Sequence, residues 1–560
     1  MRAFEGEIVF ALAGEAGQGI QTIEGLITPL LVRGGYHVFA VKEYMSRVRG
    51  GINSTTIRVA EQRRMAFREK IDLLIPLHEG AITHLGTRLS KDTLILGEKS
   101  RISNVTFDVP LNKSAKELGN PVLTNIIATG LLAELFGLKE EDCLAYISRQ
   151  FAKKGKEIVA QNIEAAKKGY ELGRNLKGEI VISVKRDKRV TEEIIVNGAQ
   201  AVSLGAIAGG LNYLCAYPMS PSTAVLTQIA AYAEKASIVV EQVEDEIGVV
   251  NMAIGAWYAG ARAMVTTSGG GFALMTEGIS LAGMIESPLV VHLAQRPGPA
   301  TGMPTRTEQG DLNLVLFAGH GSFPRVVLAP KDLDEAFYLT RLAFNLADRY
   351  QVPVFILTDQ YLIDCYYNTP AWTLAEGTIE NFIIETGEDY QRFAITSSGI
   401  SPRGIPGFGK GIVCVDSDEH DESGYITENH DIRVKMVEKR LRKGEVVAEN
   451  TLPPHFAGNS SYSALVVGWG STYGVIKEVV ERIGREDLAH LHFSWVYPLP
   501  RETTSYLKRA KKVIVIEGNA TGQLASLLQS FIDYPLQKIL KFNGLSFSVE
   551  ELTEQVVRRL

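Results

Sequence analysis

The sequence predicts a multidomain α/β protein, on three observations. Short, continuous apolar runs end in Gly or polar turns: EIVFALAG (7–14), SPLVVHLAQ (287–295), VPVFILTD (352–359), SALVVGWG (463–470) and KKVIVIEG (511–518). Such runs suit strands of a parallel sheet covered on both faces. Helix-periodic stretches alternate with them, and 560 residues suffice for three or four domains at roughly 100–200 residues each.

The composition is that of a globular protein: 45% hydrophobic, 22% charged, net charge −6. No basic arm or patch points to nucleic acid. The N-terminal apolar run is short and ends in glycines, so it reads as a strand and not a signal segment. The most apolar window, 196–218, is built mainly of Gly and Ala and carries Asn197, Gln200 and Asn212, which is weak for a membrane span. A cytoplasmic protein with no membrane contact is expected. The four cysteines, Cys143, Cys215, Cys365 and Cys414, form no CxxC pair. They read as reduced core thiols and cannot build a local zinc or iron–sulfur motif.

Four blocks follow in order. In 1–185, the run 7–14, a Gly-rich turn, the helical IQTIEGLITPLLVRGG and the strand YHVFAVKEY read as a βαβ unit. Later runs DLLIPL and DTLILG are further strands, 141–176 is a charged helical stretch, and the block ends in a polar segment. Residues 193–380 repeat the α/β alternation. In 381–456 the pattern dissolves into Gly, Pro and acidic residues and then a basic helix, an ordered linker. Residues 457–560 are α/β again.

The motifs each admit a plain and a functional reading. GEAGQG (14–19) has the order GxxGxG, matching neither standard phosphate motif; it is a tight turn opening a helix, or an anion site at that helix N-terminus. Nearby, MSRVRGG places Arg47, Arg49 and Gly50 at a strand end, where an anion would fit. AYPMSPST (216–223) sets Tyr217, Pro218 and Ser220 in a proline-fixed, hydroxyl-bearing break after an apolar segment, so the break should be buried.

VEQVEDEIG (240–248) crowds Glu241, Glu244, Asp245 and Glu246 at the end of an apolar strand and the start of a helix. Acidic charge is favourable there, but the helix that follows is apolar all round and should be buried, which would put one carboxylate in low dielectric. TTSGGGF (266–272) offers Ser268 and Gly269 as a plain glycine turn or a place where a ligand nears backbone. The long loop QRPGPATGMPTRTEQGDL (295–312) carries Arg296 and Arg306 after a strand. Open α/β sheets bind ligands there, and Arg suits a small carboxylate. DSDEHDESG (416–424) lacks EF-hand spacing and reads as a solvated acidic loop.

Together, AYPMSPST, VEDEIGVVNMAIGAWYAGAR, TTSGGGFALMTEG and QRPGPATGMPTRTEQGDL resemble the alpha subunit of 2-oxoacid:ferredoxin oxidoreductases. GEAGQGI and VRGG resemble the gamma domain fused ahead of it in the 2-oxoglutarate type, so the resemblance spans the chain. It implies a gamma domain over 1–185, a thiamine diphosphate pyrimidine-binding domain over 193–380 and a transketolase C-terminal-like domain over 457–560. It places the cofactor against Tyr217, Pro218, Ser220, Glu246, Ser268 and Gly269.

By the same resemblance, Glu246 is the glutamate sharing a proton with the aminopyrimidine N1′, which favours the imino tautomer that generates the ylid. Ser220 stands at the family's active-site threonine, with Met219 before it in place of the usual Ile. Arg296 falls at an active-site arginine, Arg306 at the arginine for the distal substrate carboxylate, and Gly270 where many relatives have Pro. The resemblance assigns no metal to this chain. It implies a beta subunit carrying Mg²⁺, the diphosphate and a [4Fe–4S] cluster, an α2β2 assembly, ferredoxin as acceptor, and CoA as substrate near Arg47, Arg49 and Gly50. The reaction implied is oxidative decarboxylation of a 2-oxoacid, 2-oxoglutarate above all, to acyl-CoA. Pyruvate, branched-chain or aryl 2-oxoacids, or a non-catalytic CoA- or partner-binding scaffold, are the alternatives.

Overall fold

The computed structural model describes residues 1–45, 51–374 and 379–560. They fall into two compact units. The first is Met1–Val196 with Cys365–Ala371 and Ser548–Glu550; the second is Asn197–Asp364 with Trp372–Phe547 and Glu551–Leu560.

The first unit is built on a mixed sheet. Its strands lie in the order Phe107–Asp108, Leu94–Gly97, Leu73–Pro76, Glu7–Glu15, Ile52–Ala60, His37–Glu43, Tyr366–Thr369 and Ile194–Asn197. The strands Glu7–Glu15 and His37–Glu43 are therefore not neighbours, as the βαβ reading has them. Ile52–Ala60 lies between, antiparallel to both. Its sequence, INSTTIRVA, alternates polar and β-branched residues and lacks the apolar run that marks the other strands. Likewise the polar segment near 180 contains the strand Ile180–Ser183, parallel to Arg2–Glu5. The helices Ile20–Arg33 and Thr124–Leu135 cover the sheet through a core that includes Phe10, Leu12, Ile27, Leu31, Ile127 and Leu131.

In the second unit a seven-stranded sheet runs Val239–Gln242, Tyr213–Ala216, Ala263–Thr267, Leu289–Gln295, Pro353–Asp359, Val326–Leu328 and Trp495–Tyr497. All neighbours are parallel except the last pair. The chain enters at Tyr213–Ala216, adds Val239–Gln242 on one side and Ala263–Thr267 on the other. A topological switch point therefore opens at the carboxyl ends of Tyr213–Ala216 and Ala263–Thr267, where doubly wound sheets take their ligands.

A second sheet, His455–Ala457, Leu488–Phe493, Ala464–Trp469, Lys512–Glu517 and Gln537–Leu540, has its own switch between Ala464–Trp469 and Lys512–Glu517.

Between the sheets' sequences, 381–456 is irregular up to the helix His430–Glu449 and is pinned by buried charge. Arg403 meets Asp348 at 2.6 Å, and Lys439 and Lys443, one turn apart, both reach Glu286. Burial alone would raise the Glu286 carboxyl; the two ammonium groups reverse this and hold it below the usual carboxylate range. The acidic loop 416–424 is not simply solvated, as its composition suggests. Glu419 pairs with Arg440 at 3.0 Å, and buried His420 lies against Phe393. No helix of the described residues is long and apolar enough to cross a membrane.

Candidate functional site

The switch point of the seven-stranded sheet collects most of the predicted residues. The strand Tyr213–Ala216 ends in the loop 217–222, which Ser222 closes by donating its hydroxyl to the Met219 carbonyl at 2.6 Å. The break is not buried as the flanking apolar sequence suggests. Tyr217 is 40% exposed and Ser220 is exposed, because the strand stops at Ala216 and the loop stands out from the sheet end; Pro218 is partly covered. The Ser220–Pro221 peptide is cis. Arg296, following the central strand Leu289–Gln295, donates from Nη1 to the Ser220 carbonyl at 2.5 Å.

Beside this loop, Ala263–Thr267 leads into 268–271. Ser268 is fully buried and its Oγ has no partner. Two glycines here make room for carboxylates. A Cβ on Gly269 would stand 2.5 Å from both carboxylate oxygens of Asp311, and one on Gly271 would stand 2.4 Å from Glu246 Oε1 and Thr267 Oγ1. Gly270, between them, is open; its nearest neighbour would be the Ala300 carbonyl at 3.6 Å.

Glu246 opens the helix Glu246–Tyr258, whose N-cap Asp245 accepts the Gly248 N–H at 2.8 Å. Only Glu246 of the acidic cluster is buried, at 4% exposure, and its Oε1 has no partner. The helix is not buried all round: Val249, Val250, Ala253 and Trp257 face the core while Ile247 and Met252 are exposed. Its apolar composition thus reflects two surfaces, one packed and one bare.

Sequence reading missed Asp311, in the loop 295–312 where only the arginines stood out. Its backbone N–H donates to Gln295 Oε1 at 3.0 Å, and its Oδ2 is buried without a partner. Burial, reinforced by Glu308, pushes this carboxyl up to about 7, against the pull of Arg296. Burial in turn lowers the Arg296 guanidinium, which Asp311 opposes. Below the site His292 bridges the Thr266 and Thr358 hydroxyls at 2.8 and 2.9 Å; burial lowers it to about 3, so it is neutral.

Arg306 lies farther along the same loop, its side-chain stem beside Gly544 and its backbone N–H donating to the Met303 carbonyl at 3.1 Å. The structure thus joins Ser220 to Arg296, and Glu246 and Asp311 to the turn of Ser268 and Gly269. Arg47, Arg49 and Gly50 lie outside the described residues. Among those described, no group of three or more His, Cys, Asp or Glu is placed to hold a metal ion.

Three buried polar atoms without partners, Glu246 Oε1, Ser268 Oγ and Asp311 Oδ2, stand around one glycine turn. Buried polar groups are ordinarily satisfied, so this turn is built to meet a polar ligand. Buried, unpartnered polar atoms at the switch point of an open, mostly parallel sheet mark the chain as an α/β protein with a ligand site at that point.

Comparison with known proteins agrees. Residues 204–439 match the family model "Pyruvate flavodoxin/ferredoxin oxidoreductase, thiamine diP-bdg", and 9–172 match "Pyruvate ferredoxin/flavodoxin oxidoreductase". The chain is 31% identical to the 2-oxoacid:ferredoxin oxidoreductase subunit alpha of a Sulfolobus species, over 98% of this chain and 96% of that protein. It is 26% identical to the 2-oxoglutarate oxidoreductase subunit KorA of Mycobacterium tuberculosis, over 97% and 90%. The structure of 2-oxoglutarate:ferredoxin oxidoreductase from Magnetococcus marinus, with 2-oxoglutarate, coenzyme A and succinyl-CoA bound, superposes with a TM-score of 0.92 at 29% identity, covering 99% of this chain and all of that one. The chain belongs to the 2-oxoacid:ferredoxin oxidoreductase family, as an alpha-type subunit, and is an oxidoreductase.

Proposed function

We propose that this chain is the alpha subunit of a thiamine-dependent 2-oxoglutarate:ferredoxin oxidoreductase that forms succinyl-CoA and CO₂. The observation that carries the reading is the buried, unpartnered Glu246 Oε1 against the Gly271 backbone at the sheet's switch point. When bound, thiamine diphosphate supplies the nucleophilic carbon and the electron sink for decarboxylation. Glu246 holds or releases a proton toward the pyrimidine ring, as its buried oxygen allows. Tyr217, Pro218, Ser268 and Gly269 shape the wall, and Ser220 presents its hydroxyl on a loop held by Arg296. Arg306 takes the distal carboxylate, the feature separating 2-oxoglutarate from pyruvate.

The rest of the assembly follows the family pattern. A beta subunit holds Mg²⁺, the diphosphate and the [4Fe–4S] cluster, in an α2β2 cytoplasmic complex, and passes two single electrons to ferredoxin. The bare apolar side chains Ile247 and Met252, with Tyr217 beside the site, suit such a partner. CoA enters at the first unit. There the loop 15–19 opens the helix Ile20–Arg33 beside a cleft of about 330 Å³ lined by Lys42, Asn53 and Thr55. Backbone N–H groups at that helix start suit a phosphate, and Arg47, Arg49 and Gly50 follow the strand His37–Glu43 that supplies Lys42.

The test is the complex co-expressed with its beta subunit, assayed for CoA-dependent ferredoxin reduction with a panel of 2-oxoacids. Preference for 2-oxoglutarate supports the reading; equal kcat/KM with pyruvate sinks the substrate assignment. Unchanged turnover by Glu246→Ala would overturn the enzymatic role of this site and favour a scaffold. Calorimetric CoA affinity unaltered by Arg47→Ala and Arg49→Ala together would remove those arginines from the CoA site.

A further inference from the structure

The second sheet of the second unit has a ligand crevice of its own, at the carboxyl ends of Ala464–Trp469 and Lys512–Glu517. In doubly wound sheets that crevice takes a small molecule. Here it takes a side chain from the loop 295–312. Gln309, 2% exposed, donates from Nε2 to the Trp469 carbonyl at 2.9 Å and accepts the Gly518 N–H on Oε1 at 2.9 Å. Its own N–H donates to the Gly518 carbonyl at 2.6 Å. Both strand ends are thus read by one amide, with donor and acceptor each matched.

Gly470 and Gly518 leave space for it: a Cβ on Gly470 would stand 3.1 Å from Gln309 Nε2 and one on Gly518 3.4 Å from the Gln309 side chain. The cavity that remains is about 30 Å³, room for water but not for a metabolite. The helix Gln523–Leu528 and the segment after the strand Gln537–Leu540 hold the loop on either side. Gln523 Nε2 donates to the Gly310 carbonyl at 2.8 Å, and Thr307 N–H donates to the Gly544 carbonyl at 3.1 Å.

We propose that Gln309 is a specificity-positioning residue: the C-terminal sheet binds it in the place of a ligand and so fixes the loop segment that carries Arg306. The consequence for substrate choice rests on the assignment of Arg306 to the distal carboxylate; the anchoring does not. Gln309 lies three residues from Arg306 and two from Asp311, so freeing its amide lets both drift relative to the Ser220–Arg296 pair. A misplacement of about 1 Å is enough to weaken a positioned contact.

The experiment uses Gln309→Met, which keeps the bulk and loses both hydrogen bonds, and Gln309→Glu, which keeps the acceptor for Gly518. Each is made in the complex with the beta subunit, with Arg306→Ala alongside. The expected result for Gln309→Met is a KM for 2-oxoglutarate raised on the order of tenfold, one hydrogen bond's worth of positioning, with kcat and the KM for pyruvate moved far less. Amide hydrogen exchange in 303–310 speeds up while the strands Ala464–Trp469 and Lys512–Glu517 stay protected, and Gln309→Glu falls between.

If Arg306→Ala alters substrate preference but Gln309→Met changes neither exchange in 303–310 nor KM, the inference is wrong and the Arg306 assignment stands. If Gln309→Met loosens the loop while Arg306→Ala leaves preference as it was, the Arg306 assignment falls and the anchoring role holds. Exchange rising across the whole second sheet, with equal losses on both substrates, would reduce Gln309 to a packing residue and overturn the proposal.

Discussion

Arg296 Nη1 donates to the backbone carbonyl of Ser220 at 2.5 Å, tying the end of the central strand to the loop two strands away. The contact is made to backbone, so it fixes where the Ser220 hydroxyl stands without consuming it. A charge-assisted bond of this kind is worth ~1.5–3 kcal/mol. Arg296→Ala should therefore lower kcat/KM by roughly tenfold to a hundredfold. Arg296→Lys should recover part of this, since one ammonium can reach the carbonyl but lacks the planar fork. Steady-state kinetics of the complex decide; an Ala variant as active as the parent removes the positioning role.

The glycine turn makes a sharper contrast. Gly271→Ala drives a methyl to 2.4 Å from Glu246 Oε1, and Gly269→Ala to 2.5 Å from the Asp311 carboxylate, whereas Gly270→Ala meets nothing nearer than 3.6 Å. The first two should weaken thiamine diphosphate binding by tenfold or more, at about 1.4 kcal/mol per decade, and the third should leave it alone. Calorimetric titration of the three variants is the check. Equal affinities would mean that the turn does not face the cofactor.

Asp311 should leave a signature in pH. Its carboxyl stands at about 7 in the folded chain against an ordinary 3.8. Between those values the folded protein keeps a proton that the unfolded chain has released. Stability therefore falls as pH rises through this window, by on the order of 4 kcal/mol in total. Asp311→Asn should flatten that fall, measured as the urea midpoint of the apo subunit against pH. An Asn variant with the parent's slope would show that the carboxyl is ionised throughout.

Glu286 anchors two buried lysines, Lys439 at 2.5 Å and Lys443. Glu286→Ala leaves both ammonium groups without their counter-charge and should cost about 3–5 kcal/mol. Replacing all three residues by apolar ones of similar volume should cost less than the single change. Urea unfolding of the two variants compares them directly, and a single substitution milder than the triple would contradict the ion-pair account.

The sequence was most legible where chemistry and backbone pattern coincide. The apolar helix after the acidic cluster signalled that a carboxylate there would be buried, and the family resemblance placed it at Glu246, although that helix is bare on one side. Ser220 and Arg296 were found separately, but nothing in their 76-residue separation says that they touch. Ile52–Ala60 hid because its Thr-rich alternation carries less apolar signal than the runs beside it. Asp311, Gln295 and Gln309 were invisible as single polar letters in a loop. Their meaning comes from burial and from partners distant in sequence, which no local period encodes.

The first unit's sheet draws the strand Tyr366–Thr369 from far along the chain, and residues 548–550 belong to the same unit. The module is therefore stitched in rather than strung on. A gene fragment ending at Val196 would leave His37–Glu43 with one row of amides and carbonyls uncovered, and such an edge invites pairing with other chains.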